Sequence, residues 1–200
     1  NKGLCVYHKS TNRFTSYNKA GKYSLTSRLT SVIFKDDSNY IWVGTTDKGL
    51  NRIHPVTGMI DHFRHQEGDS SSISGDKINC IHQGSQGSIW IGTNRGLNLF
   101  RSKHDGFKRF TVRQGLPDDH IMAILSDDQN NLWISTHNGL CNFNPHQGST
   151  ITYNSSDGLQ GNRFTKAHCK LHDGRLVFGG ENGINIFKPD NIVPNPFKPK

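Results

Sequence analysis

Four cysteines, eleven histidines and recurrent Asp/Asn clusters are the residues of this 200-residue chain whose types could hold a metal or do covalent chemistry. Their spacing argues against each use. No two cysteines stand at zinc-ligand spacing. Cys5 and Cys141 each lie two positions after a glycine, and Cys80 and Cys169 lie near the ends of similar apolar runs, so all four read as small core residues with free thiols. His62 with His65, and His168 with His172, would share a metal only on a helix or in a special turn, because strand alternation sends them to different faces. Asp36, Asp37 and Asn39, like Asp127, Asp128, Asn130 and Asn131, do not meet calcium-loop spacing and suit turns, where Asx side chains bond their own backbone. Neither a metal site nor a cofactor is expected. Acid–base chemistry needs groups that converge on one bond; Glu181, His120 and His137 are the available contributors, and nothing in their spacing brings them together.

The elements that would position these residues follow from composition and periodicity. Hydrophobic residues make up 32% and charged residues 20% of the chain, and 21 glycines are dispersed among short apolar runs, which indicates a soluble all-β chain that turns often. No apolar run approaches the roughly 20 residues of a membrane-spanning helix. The first residue is Asn1, and strand-like sequence begins at Gly3, so the chain is expected to be a piece of a longer protein. Twenty-four Lys and Arg against 16 Asp and Glu give +8, which favours anionic partners without choosing among them.

One pattern recurs four times: Ile41 to Ile53, Ile89 to Phe100, Leu132 to Phe143 and Leu176 to Phe187, each a strand centred on Trp42, Trp90, Trp133 or Phe178, then a polar turn, a Gly-Leu or Gly-Ile pair and a second strand. All three tryptophans of the chain fall in this register. Apolar segments precede each copy (Ser31 to Phe34, Ile78 to Ile81, Ile121 to Leu125, Phe164 to Cys169), and short aromatic strands follow the first three (His62 to Arg64, Lys108 to Thr111, Ile151 to Tyr153). Four short strands at this period predict four-stranded antiparallel β-propeller blades, about four with a partial one. The expected divisions are 1–30, the end of a preceding blade; blades at 31–73, 74–116, 117–160 and 161–192; and a Pro-rich exit segment at 193–200. Both faces of each Trp strand carry apolar or small residues, so the tryptophans are read as packing between blades, and Gly44, Gly92, Ser135 and Gly179 as room for a bulky neighbour.

The motif Asp-Asp-x-Asn-x-Leu-Trp followed by Gly-Thr-x-x-Gly-Leu and a later Gly-Leu-Pro or Gly-Leu-Gln resembles the two-component regulator propeller repeat over nearly the whole chain. The resemblance implies a seven-bladed propeller, of which this chain is a fragment. It also implies the periplasmic sensor region of a hybrid two-component histidine kinase of the inner membrane, for which glycan breakdown products are the usual signals. Phe178 to Ile192, with Phe for Trp and Gly for Thr, resembles the closing blade, and Pro194, Pro196 and Pro199 the exit toward a β-sandwich domain. Four blades leave open edges, so self-association of two copies is expected unless other blades complete the ring.

Positions that differ among the copies are free for function, and they fall in two loops at one mouth of the axial channel: Asp47, Lys48, Asn94, Arg95, His137, Asn138, Glu181 and Asn182 between second and third strands, and Arg28, Asp76, Lys77, Asp119, His120, Asn162 and Arg163 entering the first strands. Their amides and charged groups suit sugar hydroxyls and anionic substituents. The basic run of Arg101, Lys103, Lys108, Arg109 and Arg113 reads as a solvated outer rim, and nucleic-acid binding is not expected because the aromatics are committed to packing. The segment is therefore expected to sense an oligosaccharide, an anionic one being favoured by the net charge of +8, and not to be an enzyme; a protein-interaction scaffold is the alternative, and a propeller lyase or hydrolase the more remote one.

Overall fold

The computed structural model describes residues 3–17 and 24–192; the Pro-rich exit at 193–200 lies outside them. The chain is an all-β propeller. Blade 1 comprises β3 (Thr30–Lys35), β4 (Ile41–Thr45), β5 (Leu50–Ile53) and β6 (Ile60–Phe63), ahead of which β1 (Leu4–His8) and β2 (Arg13–Tyr17) form a hairpin. Blade 2 comprises β7 (Ile78–Gln83), β8 (Ile89–Thr93), β9 (Gly96–Ser102) and β10 (Gly106–Phe110). Blade 3 runs through β11 (Ile121–Ser126), β12 (Leu132–Thr136), β13 (Gly139–Asn144) and β14 (Ser149–Tyr153), and blade 4 through β15 (Phe164–Lys170), β16 (Leu176–Gly180) and β17 (Gly183–Phe187). Neighbouring strands pair antiparallel within every blade, and the first strands stand side by side around the axis in the order β3, β7, β11, β15. The fourth strands begin about two residues earlier than the aromatic pattern suggests, at Ile60, Gly106 and Ser149.

The core lies between blades. Trp42 packs with Ile78, Ile91 and Phe107 of blade 2, Trp90 with Ile121, Ile134 and Phe143 of blade 3, and Trp133 with Phe164 and Phe178 of blade 4. Each indole meets the aromatic residue near the end of the next blade's third strand: Trp42 with Phe100 at 5.0 Å, Trp90 with Phe143 at 5.8 Å and Trp133 with Phe187 at 4.8 Å between ring centroids. The small residues act as expected. A Cβ on Gly44 would stand 2.6 Å from Ile78 Cγ2, and one on Gly92 the same distance from Ile121 Cγ2, so the glycines admit the first strand of the following blade.

The Thr of the repeat closes the turn after the Trp strand. Thr45, Thr93 and Thr136 donate their hydroxyls to the carbonyls of Gly49, Gly96 and Gly139 and accept the loop amides of Lys48, Arg95 and Asn138. Blade 4 has Gly180 there, and the Gln160 side chain takes over, accepting the Asn182 amide at 2.9 Å. Ser31 and Asn79, at the irregular start of their first strands, reach the next blade by donating to the Ile78 and Ile121 carbonyls.

The cysteine reading needs one correction. All four are free, and Cys80 and Cys141 are buried, but Cys5 and Cys169 are exposed, because each lies on a face that no neighbouring blade covers. The Asx clusters are turns in fact: Asn39 and Asn130 take φ of 65°, and Asp36 and Asp127 accept the Tyr40 and Asn131 amides. The basic rim is solvated at Arg101, Lys103, Lys108 and Arg113, which are exposed, although Lys103 also pairs with Asp61 of blade 1 at 2.6 Å. Arg109 is half-buried and donates to the Asp69, Ser72 and Ile73 carbonyls, so it fastens a loop.

Candidate functional site at the propeller mouth

The fifteen sequence candidates separate into structural and free groups. Asp76, Asp119 and Asn162 occupy one repeat position, and each carboxylate or amide oxygen accepts a backbone N–H from the segment that follows the preceding fourth strand: His65 at 2.9 Å, Val112 at 2.8 Å and Ser155 at 2.7 Å. They hold the connection between blades by that oxygen, and Asp119 in addition lines the groove described below. Their identities vary because any side chain with an oxygen at that distance serves. Asn138 and Asn182 are turn residues whose amides are bonded to Thr136 and Gln160. Arg28 of the equivalent position in blade 1, Asp47 and Lys77 are exposed, and Lys48 is half-buried.

The remainder gather across blades 2 to 4. The residue after each second strand pairs by backbone with the residue entering the first strand, as in Asn94 N–H to Lys77 O at 3.2 Å and Glu181 N–H to Arg163 O at 3.2 Å. Antiparallel pairing therefore places one side-chain couple per blade at the mouth. In blade 3 the couple is His120 with His137, stacked at 4.8 Å with their planes 12° apart. In blade 4 it is Arg163 with Glu181, paired at 2.9 Å. His137 lies within electrostatic reach of both Arg163 and Glu181, so the couples of the two blades adjoin.

This convergence corrects the expectation that Glu181, His120 and His137 stay apart. Spacing along a strand could not show it, since the contact is made across a hairpin and then between blades. Burial is the main reason the His137 pKa is held below the ordinary imidazole value, with Arg163 and His120 adding to the effect against the opposing pull of Asp118 and Glu181. Asp118 lies 3.6 Å from His120 Nδ1.

Toward blade 2 the couple opens on a groove of about 520 Å³ lined by Asn94, Arg95, Val112, Pro117, Asp118, Asp119 and His120. Asn94 Oδ1 is buried beside Gly75 with no hydrogen-bond partner among the described residues. The site offers a guanidinium, paired imidazoles, a carboxylate and an amide on a shallow surface, which suits recognition of a polar molecule.

One group that sequence reading passed over positions these loops. Asn51, Asn98 and Asn185, each two positions after the glycine of the repeat (Gly49, Gly96, Gly183), accept the Thr26, Ser74 and Gln160 amides at 3.0, 2.8 and 3.2 Å. Their recurrence after Gly-Leu or Gly-Ile was visible, but only folding shows that they clamp the segment entering the blade. The histidines weighed as metal ligands are bonded within the protein, His62 Nδ1 to Asn51 Oδ1 and His65 Nδ1 to the Ile73 carbonyl, both at 2.9 Å.

Four repeats whose invariant residues build blades, and whose variable side chains collect at one mouth, define a β-propeller recognition module. Residues 72–95 and 115–138 match the family model of the two component regulator propeller. Two stretches of the chain thus match that family's repeat, and the chain resembles the extracellular domains of two-component systems. It is 28% identical over 187 residues to the histidine kinase P4 of Formosa agariphila, covering 90% of this chain and 13% of that protein. The extracellular domain assigned to the hybrid two component system BT3049 of B. thetaiotaomicron superposes with a TM-score of 0.80 at 28% identity, over 94% of this chain and 25% of that one. The extracellular domain assigned to the one component system BT4673 of the same organism shares the fold, with a TM-score of 0.73 at 20% identity, over 93% of this chain and 25% of that chain. The chain thus spans a quarter or less of these relatives. Among the described residues no helix is long and apolar enough to cross a membrane.

Proposed function

We infer that the mouth of blades 2 to 4 is a ligand-sensing surface, and that its ligand is an oligosaccharide carrying an anionic group. The observation that carries this reading is the stacked His120–His137 couple between the Arg163–Glu181 pair and the groove lined by Asn94, Arg95 and Asp118. Sugar hydroxyls need donors and acceptors at short range, which the imidazoles, Asn94 and Asp118 supply. Arg95, Arg163 and Lys77 add positive charge on the same side of a chain with a net +8. In a periplasmic sensor anchored in the inner membrane, occupancy of this surface is passed to a downstream histidine kinase, the role consistent with the relatives.

Calorimetric titration with neutral oligosaccharides and with uronate- or sulfate-bearing ones tests the reading. Anionic members bind, the affinity falls with salt, and His137→Ala and Arg95→Ala each weaken it about tenfold, equivalent to about 1.4 kcal/mol. Binding of neutral members alone removes the anionic part. Absence of any glycan response, together with salt-insensitive capture of a protein, replaces the reading with an interaction scaffold.

A further inference from the structure

Antiparallel pairing sets one residue of the third strand beside each tryptophan and on the same face: Arg52 beside Trp42, Leu99 beside Trp90 and Asn142 beside Trp133. In blade 1 this residue supplies a cation to a cage of rings. The Arg52 guanidinium carbon lies 4.7 Å from the Tyr40 ring centroid, 5.4 Å from that of Trp42, 5.9 Å from that of Phe63 and 5.0 Å from that of Phe100 in blade 2. Asp61, its partner on the fourth strand, pairs with the guanidinium at 2.7 Å. In blade 2 the cation comes from the fourth strand instead: Lys108 stands opposite Leu99, and its ammonium lies 5.0 Å from the Phe110 ring.

Blade 3 keeps the rings and has a cation at neither position. Trp133 stacks on Tyr153 with their planes 21° apart, as Trp42 stacks on Phe63, and it meets Phe187 of blade 4 at 4.8 Å, as Trp42 meets Phe100. The places of Arg52 and Asp61 are taken by Asn142 and Ile151. Asn142 is too short to cover the rings as Arg52 does, and a pocket of about 340 Å³ lies against Trp133 and Tyr153. Its lining includes the carboxylates of Asp127 and Asp190 and the side-chain amides of Asn142, Asn144 and Gln147; among the described residues no Lys, Arg or His lines it. Gln129 donates to the Asp190 carboxylate at 3.2 Å and so fixes it at the rim.

We propose that this pocket binds the guanidinium group of another molecule, stacked on Trp133 and Tyr153 as Arg52 is on Trp42 and Phe63, with its N–H groups directed to Asp190 and the neighbouring amide oxygens. A guanidinium is planar, weakly hydrated and presents its donors as a fork, so it suits a ring face beside a carboxylate better than an ammonium does. Every arginine of the chain lies within the described residues and none lines the pocket, so the group is not supplied by these 200 residues. The site is separate from the mouth. The turns that line it, after β11 and after β13, leave the blade at the end opposite the turn after β12 that carries His137, because successive turns of an antiparallel sheet alternate between its ends.

The test is magnetic resonance of the nitrogen-labelled whole chain, read at the Trp133 indole N–H. The probes are L-arginine and the peptide acetyl-Gly-Arg-Gly-amide, with L-citrulline, the uncharged isostere of arginine, as control. Both arginine probes are expected to shift the Trp133 signal at millimolar concentration, and citrulline to bind at least tenfold more weakly. Tighter binding of the peptide assigns the group to a polypeptide side chain, and tighter binding of the amino acid to a free small molecule. Asn142→Arg places in the pocket the residue that blade 1 carries and is expected to weaken both probes at least tenfold. Asp190 is exposed, so Asp190→Asn leaves the fold intact and is expected to weaken them at least threefold. Equal binding of citrulline, no shift by either arginine probe, or unchanged affinity in both variants overturns the proposal. So does binding at least tenfold tighter after deletion of residues 193–200, which assigns the pocket to the chain's own tail.

Discussion

The indole nitrogen of Trp133 donates to the Asp127 carboxylate at 3.0 Å, both groups being buried, and Trp42 makes the same bond to Asp36 at 2.8 Å. One carboxylate thus joins the turn between first and second strands to the ring that packs two blades together. Blade 2 has Gly84 at the corresponding place, and Trp90 turns to the Ser88 hydroxyl at 3.2 Å.

Removing that carboxylate leaves a buried indole N–H and the Gln129 and Asn131 amides without their acceptor. Asp127→Ala is expected to cost about 3 kcal/mol of unfolding free energy, with Ser88→Ala costing less because its bond is longer and partly exposed. Guanidinium denaturation followed by tryptophan fluorescence measures both; equal losses would contradict the assigned role.

Gly92 admits Ile121 and the Cys80 sulfur, which would stand 2.6 and 2.5 Å from a side chain there. Gly92→Val is expected to separate blades 2 and 3 locally and to destabilise by about 1–3 kcal/mol or more. Gly148→Val, with nothing within 4 Å but φ of 70°, separates backbone strain from packing. Thermal unfolding of the two variants should show the larger loss at Gly92.

Burial pushes the thiols of Cys80 and Cys141 up to about 12, well above the ordinary value of 9.0, whereas Cys5 and Cys169 are exposed. A thiol reagent at pH 8 is expected to modify Cys5 and Cys169 rapidly and Cys80 and Cys141 only after unfolding. Peptide mass mapping of the labelled protein decides it.

Burial, with His168 and Lys170 nearby, lowers the His82 imidazole from 6.5 to about 4. The unfolded chain therefore takes up this proton at a higher pH than the folded one. The neutral imidazole stabilises the fold fully above about pH 6.5, and that contribution is lost as pH falls toward 4, by about 3 kcal/mol in all. His82→Gln should flatten the difference in stability between pH 7 and pH 4.5, compared by denaturant midpoint.

The repeat was legible because packing between blades imposes one residue type per position: a Trp that must cover the next blade, a glycine that must admit it, a threonine that closes the turn. Asp36 and Asp127 were legible as turn residues but not as indole acceptors, since that bond depends on how the hairpin folds back over the ring. Variability among copies was a poorer guide. It marked Asp76, Asp119 and Asn162 as free, although each holds a backbone amide that does not discriminate among side-chain oxygens.

The sequence alone therefore determined the blade, because strand alternation and a fixed period act between residues close along the chain. Tertiary structure alone decided which residues meet: the stacking of His120 on His137 and the Arg163–Glu181 pair beside them. Each is set by the distance between strands or blades once sheets pack face to face, a distance that no spacing along the chain records.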